Sequence, residues 1–220
     1  MKKKSKDLLS LLSLGGFLIL AIGSVDSDSQ NGNVQKELTP SDVDQAAEEA
    51  VEEAEKRVGD YFSDDSDWKK FNSPIGQFEV LFPKYPSHRT QEVTVSNTGV
   101  SVDMEEYTSK KDDSEIYSLF YNDYPKSIDL TSNPKSNLEN SLNAMLSSVE
   151  GSQLISSKIS DYGKHKALDF VLKVPQEELM VKGRIILAGQ EMYQLYVTYQ
   201  KDKNVQKNYQ RFINSFEILK

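Results

Sequence analysis

Beyond residue 68, apolar and polar residues alternate at every second position, a pattern that predicts a series of short β-strands. In the first strand Phe78, Val80 and Phe82 share one face, and Pro83 ends the run. The same period predicts further strands around residues 93–95, 100–104, 117–121, 154–159, 168–172, 181–187 and 193–199. Tight turns such as Gly189-Gln190 join many of them, so the predicted sheet is largely antiparallel.

Two stretches with helical spacing interrupt the strands. The first opens at Asn133-Pro134, ends near Gly151 and carries on one face Leu138, Leu142, Met145 and Leu146. The second begins at about Asp202 and is predicted to bury Val205, Tyr209, Phe212, Ile213 and Phe216. Both helices need an apolar surface to cover, so the predicted fold class is α+β, with a largely antiparallel sheet between helices.

The N-terminal residues form a continuous apolar run instead of an alternating pattern. Leu8–Val25 contains no charged side chain and follows a cluster of lysines. As a helix it would be about 27 Å long, enough to span a bilayer. It predicts a signal-anchor in the cell membrane, with the C-terminal domain outside the cytoplasm. The alternative is a signal peptide cleaved before Ser24, which would leave a secreted or periplasmic protein. Because Ser24 replaces the cysteine of a lipoprotein box, no lipid anchor is expected.

An acidic segment separates this hydrophobic helix from the strands. It contains a polar linker and then Ser41–Arg57, whose alanines and glutamates predict a stalk helix. The alternative is a short coiled-coil seam that would let the protein self-associate. The predicted divisions are a signal-anchor or signal peptide at 1–25, an acidic linker and stalk at 26–68, and a folded domain at 69–220.

Charge and composition exclude several function classes. The formal charge is +3 over residues 1–23, −11 over residues 24–68 and zero over residues 69–220. A neutral folded domain without a basic stripe argues against nucleic acid as a partner. The chain has no cysteine, which excludes disulfides and thiolate chemistry, and its two histidines, His88 and His165, are far apart in sequence. Neither a metal site nor a bound cofactor is therefore predicted.

Four short sequence motifs follow one another along the chain in an order that is typical of a known family. They are FNSPIGQFEVLFP at 71–83, YSLFYNDYP at 117–125, GRIILAG with MYQL at 183–195, and YQRFINSF at 209–216. In this order the chain resembles the PsbP/DcrB-like superfamily over residues 70–219. The resemblance implies an α/β/α sandwich, a membrane-tethered or exported setting, and a role in binding or assembly. It implies no shared chemistry and no catalytic residues.

One pair of charged residues stands out within the predicted strands. Asp169 interrupts an apolar strand, and Arg184 lies on the next one, so pairing about the Pro175–Glu178 turn places them opposite each other. Such a pair is usually structural. The alternative is an anion-binding arginine that its aspartate holds in place. The adjacent carboxylates at 105–106 and 177–178 are predicted to lie in solvated turns and edges, and the tyrosines at 193, 196 and 199 in the core.

The chain has no nucleophile elbow and no glycine-rich phosphate loop, and no histidine is placed to act as a base. We therefore expect no enzymatic activity. The leading hypothesis is a membrane-tethered, extracytoplasmic, non-enzymatic domain that binds a protein partner or assists assembly. The alternative is an exported small-molecule-binding protein or enzyme with a pocket between sheet and helices. A pocket lined by Arg184, Asp169 and tyrosines would favour the alternative.

Overall fold

A computed structural model describes residues 68–95 and 98–220. These residues form two α-helices, α1 (Pro134–Ser148) and α2 (Gln206–Asn214), and a short 3-10 turn at Pro175–Glu177. The strands are β1 (Lys69–Ser73), β2 (Phe78–Phe82), β3 (Ser87–Thr94), β4 (Ser101–Asp112), β5 (Glu115–Asp123), β6 (Gln153–Tyr162), β7 (His165–Val174), β8 (Leu179–Ala188), β9 (Glu191–Gln200) and β10 (Glu217–Ile218).

Seven of the strands form one antiparallel sheet in the order β3-β4-β5-β9-β8-β7-β6. Two-residue turns close its hairpins at Gly163-Lys164 and Gly189-Gln190. Both glycines have positive φ, which such turns require and which a side chain disfavours. Because these turns and the connection at Pro175–Glu178 fix the register, every side chain of β6 to β9 has a defined face.

Helix α1 covers one face of this sheet. Asn133 caps it by accepting a hydrogen bond from the backbone N–H of Ser136 at 3.2 Å. Its apolar face is buried together with the loop residues Ile128 and Leu130 and the inward side chains of five strands, β4, β5, β7, β8 and β9. This layer matches the predicted helix and its predicted contact residues Leu138, Leu142 and Met145.

The opposite face is covered by α2 and by a second, smaller sheet in the order β1-β2-β10. Here the packing is largely aromatic, with Phe78 and Phe216 in contact at a ring separation of 5.6 Å and Phe82 and Phe212 at 5.3 Å. The last strand, β10, pairs with β2, and just after it the Leu219 N–H donates to the carbonyl of Gln77.

The predicted α+β fold class, with one sheet between helices, is wrong. Strands make up 54% of the described residues, and two antiparallel sheets pack together, so the domain is mostly β. The physical reason is that β2, which carries the buried Phe78, Val80 and Phe82, belongs to a separate sheet. That sheet lies in the layer that was predicted to contain only a helix. The predicted hydrophobic helix at 8–25 and stalk helix at 41–57 lie outside the described residues. Neither α1 nor α2, the helices of the described part, has the length and hydropathy needed to cross a bilayer.

A basic groove beside helix α2

An open groove of about 480 Å³ runs over β6, β7 and β8 on the face that carries α2. The polar side chains that line it include Ser156, Lys158, Asp169, Lys182, Arg184 and Tyr209. The groove exists because α2 covers only part of this face and leaves the sheet open towards its β6 edge. We call it the basic groove.

Strand register brings the charged side chains of the basic groove together. Lys158 on β6 lies opposite Asp169 on β7, and Asp169 lies opposite Arg184 on β8. Lys182 stands two residues before Arg184 on the same strand, so both side chains point to the same face. The predicted Asp169–Arg184 pairing is therefore confirmed, and two lysines stand beside it.

Asp169 and Arg184 form a bidentate ion pair. Arg184 donates from Nε to Asp169 Oδ1 at 2.7 Å and from one terminal nitrogen to Oδ2 at 3.2 Å. Ser160 Oγ donates a third hydrogen bond to Oδ2 at 2.8 Å. Burial lowers the pKa of Arg184, but the hydrogen bond and charge of Asp169 outweigh it and the net pKa is raised. The guanidinium keeps further N–H donors for another partner.

Lys182 is held at the α2 side of the basic groove. Its Nζ donates to Gln206 Oε1 at 2.6 Å and lies 4.8 Å from the centre of the Tyr209 ring. Burial lowers the pKa of this ammonium, and the nearby Asp169 charge acts in the opposite direction. Burial also raises the pKa of Tyr209, so its hydroxyl stays neutral and can donate a hydrogen bond.

The basic groove thus combines three cationic side chains with a single carboxylate, which gives a local formal charge of +2. The domain as a whole is neutral, so this is a local concentration of positive charge rather than a general property of the surface. An open site with this charge attracts an anionic group and repels a cationic one. Sequence reasoning missed Lys158 and Lys182, although the two-residue turn at Gly163-Lys164 already places Lys158 opposite Asp169.

The carboxylates predicted to be solvated at 105–106 are buried in β4, at 6% and 9% exposure, so that prediction is wrong. Glu105 binds His88 Nε2 and Thr90 Oγ1, and Glu106 binds the guanidinium of Arg89, all from β3. These side-chain hydrogen bonds and ion pairs link β3 to β4. Glu177 ends the 3-10 turn between β7 and β8 and Glu178 follows it, so this pair lies in the connection between the two strands, as predicted.

The histidines do not form a site with each other, since His88 on β3 and His165 on β7 are separated by four strands of the sheet. Burial and the charge of Lys164 lower the pKa of His165. In the described ranges, no group of three or more potential metal-ligating side chains comes together. Tyr193 and Tyr196 are buried on opposite faces of β9, which confirms their predicted core packing.

Comparisons with known proteins give only a distant structural likeness. No family model matches the chain, and no curated protein matches its sequence. A crystal structure of PA94, a Pseudomonas aeruginosa protein of unknown function, is similar over 61% of this chain and 84% of its own, at 10% identity and a TM-score of 0.33. The resemblance to the PsbP/DcrB-like superfamily therefore stays a prediction.

Proposed function

We propose that this protein is a non-enzymatic binding protein and that its basic groove receives an anionic group of the partner. The observation that supports this proposal most directly is that Lys158, Lys182 and Arg184 surround Asp169 in an open groove. Lys158 is exposed and Arg184 keeps spare donors, so two cations can reach a ligand without first breaking the Asp169 pair. A carboxylate or phosphate oxygen is the chemistry that matches such donors.

Binding fits this groove better than catalysis does. Its only carboxylate, Asp169, already accepts three hydrogen bonds, which leaves it poorly placed to take a proton from a substrate. The serine hydroxyl next to that carboxylate, Ser160, donates to it, and the residue directly opposite Ser160 on β7 is Ala167 rather than a histidine. The groove is also open to solvent, whereas acid–base chemistry usually takes place in an enclosed site.

The proposed setting is the outer face of a membrane, with Leu8–Val25 as the tether and the folded domain exported. The hydrophobic length of that segment, the lysines before it and the acidic residues after it support this setting. The resemblance to the PsbP/DcrB-like superfamily supports a role in binding or assembly. The partner is proposed to be another protein.

The experiment measures binding of inorganic pyrophosphate, a compact multivalent anion, to the full-length protein by isothermal titration calorimetry. We expect measurable binding that weakens at least tenfold in the K158Q/K182Q variant and as the salt concentration rises. The matched control is K126Q/K135Q, which removes the same charge at two exposed positions outside the basic groove. Equal affinities of the two double variants would overturn the proposal, because general charge would then explain the binding.

A small anion acting as the ligand itself is the second candidate. The volume of the basic groove, about 480 Å³, lies within the usual range for small-molecule sites. However, small-molecule sites are normally concave and mostly enclosed, and this groove is open along β6. A dissociation constant for a small anion in the micromolar range or tighter would favour this candidate over a protein partner.

A further inference from the structure

We propose that the anionic group reaches the basic groove as a side chain of an extended acidic peptide, which adds to the free edge of β6 as an eighth strand. This inference rests on the proposed function and identifies the partner more closely. Its two supports are an available sheet edge and the position of the cations relative to that edge.

Strand β6 is the end of the seven-stranded sheet. It pairs with β7 over Gln153–Tyr162, and no strand in the described part of the chain pairs with its other side. The strand is about 33 Å long at the usual rise per residue. An edge strand presents alternate backbone N–H and C=O groups that can pair with an incoming chain.

The hairpin turn identifies which backbone groups face outward. In an antiparallel hairpin with a two-residue turn, the residues that flank the turn form a hydrogen-bonded pair. Tyr162 and His165 flank the Gly163-Lys164 turn. Counting back in steps of two, the groups of Lys158 point towards β7, and those of Ser157, Ile159 and Asp161 point away from it. These three residues supply the ladder for a new strand.

The same register places an incoming side chain against the cations. A residue opposite Lys158 on the new strand would occupy a non-hydrogen-bonded pair, in which side chains approach most closely. It would share the face of Lys158 and Arg184, so an Asp or Glu there points into the basic groove. Its two neighbours point to the opposite face, beside the partly buried Ile159, and are best apolar. The fitting peptide therefore alternates acidic and apolar residues.

Two further features favour β6 over the other free edge, β3. Leu154 and Ile155 on β6 are 43% and 56% exposed, at a bulge where the pairing with β7 shifts. They offer an apolar contact at one end of the docking edge. Strand β3 instead uses His88 and Arg89 to bind carboxylates of its own neighbour, and the basic groove lies at the opposite end of the sheet.

The test uses the full-length protein and a fluorescent seven-residue peptide of alternating Glu and Val, with blocked ends, in an anisotropy titration. We expect saturable binding that weakens at least tenfold when Gln replaces Glu in the peptide, or when alternate peptide nitrogens are methylated. The protein variant S157P removes one outward N–H and should also weaken peptide binding at least tenfold. Ser157 borders the basic groove, but it alternates with Lys158 along β6, so its side chain points away from the cations and the variant leaves them in place. Proline is tolerated on an edge strand, and circular dichroism checks the fold.

The pyrophosphate titration separates failure of this inference from failure of the proposed function. If S157P keeps pyrophosphate binding and loses the peptide, strand addition is supported. Pyrophosphate binding without peptide binding, or equal peptide affinity of S157P and the unchanged protein, overturns the inference and leaves the proposed function standing. If neither probe binds, both fail. A concentration-dependent dimer that S157P abolishes would identify a second copy of the chain as the occupant and overturn the acidic peptide.

Discussion

Gly183 lies in the middle of β8, between the two β8 cations of the basic groove, and its hydrogen side chain is required by packing. A Cβ atom at this position would lie 2.5 Å from Tyr196 Cβ, 2.6 Å from the carbonyl oxygen of Leu195 and 2.7 Å from Phe170 Cζ. Ordinary contacts are 3.4–4 Å, so the neighbours would have to move away by about 0.7 to 0.9 Å (3.4 Å minus 2.7 and 2.5 Å). Two of the three atoms belong to or adjoin the backbone of β9, which the β8–β9 ladder holds in place.

Overpacking typically costs about 1–3 kcal/mol, and the backbone contact places Gly183→Ala at the upper end, at about 3 kcal/mol. A loss of this size lowers the melting temperature of a domain of this length by about 6–12 °C. The urea midpoint should fall by about 1 M or more. Both are measured on the purified full-length protein, by circular dichroism and by tyrosine and tryptophan fluorescence.

Gly163→Ala is the matched control. Gly163 has a φ of +58° and open space around its Cβ position, so alanine there introduces backbone strain without a clash. That strain costs about 1–2 kcal/mol. The packing explanation is refuted if Gly183→Ala destabilises the protein less than Gly163→Ala does. If it is correct, Gly183→Ala should also weaken pyrophosphate binding, because it displaces the strand that carries Lys182 and Arg184.

Three further predictions concern local interactions. A double-mutant cycle with Asp169→Ala and Arg184→Ala should give a coupling free energy of about 1 kcal/mol in urea unfolding, since the pair is bidentate but its side chains are 32% and 24% exposed; a coupling near zero would exclude a structural role. Asn133→Ala should lower the free energy of unfolding by about 1 kcal/mol through loss of the α1 cap, whereas Asn133→Ser should restore most of it. Hydrogen bonds from Ser132 and Thr131 lower the pKa of Asp129 to about 2, so its stabilising effect is full above its ordinary pKa of 3.8 and disappears as the pH falls towards 2. An NMR titration of the Asp129 carboxyl with a midpoint near 3.8 would contradict this.

The parts of the fold that local signals determine could be predicted from the sequence. The turns at Gly163-Lys164 and Gly189-Gln190 fix the register of the β6–β7 and β8–β9 hairpins, and the Pro175–Glu178 turn fixes the β7–β8 register and with it the Asp169–Arg184 pair. The period of α1 and its Asn133 cap were likewise sufficient to identify that helix. These features depend on residues close in sequence, so no knowledge of the rest of the fold is needed.

The parts that depend on distant pairing could not be predicted in this way. The predicted strand ends near Met104, whereas β4 continues to Asp112, because it pairs with β3 as far as Thr108 and with β5 as far as Asp112 through residues that look polar and exposed. The second sheet was missed because β1 has the polar sequence KKFNS and β10 is two residues long. The basic groove depends on how far α2 extends over β6, which no local pattern in the chain specifies.

The small sheet joins the beginning and the end of the folded domain, and this affects the order in which the domain can form. Strand β2 pairs with β10, and Leu81 N–H donates to Ser215 Oγ across 134 residues of chain. During synthesis, the apolar face of the β1–β2 hairpin therefore has no completed layer until α2 and β10 emerge. The β3–β4–β5 and β6–β7–β8–β9 units can form earlier from adjacent hairpins. The β5–β9 pairing that joins them and the closure of the small sheet both link distant parts of the chain, so both are expected to be late, slow steps of folding. Until then the early strands are exposed to chaperones and proteases.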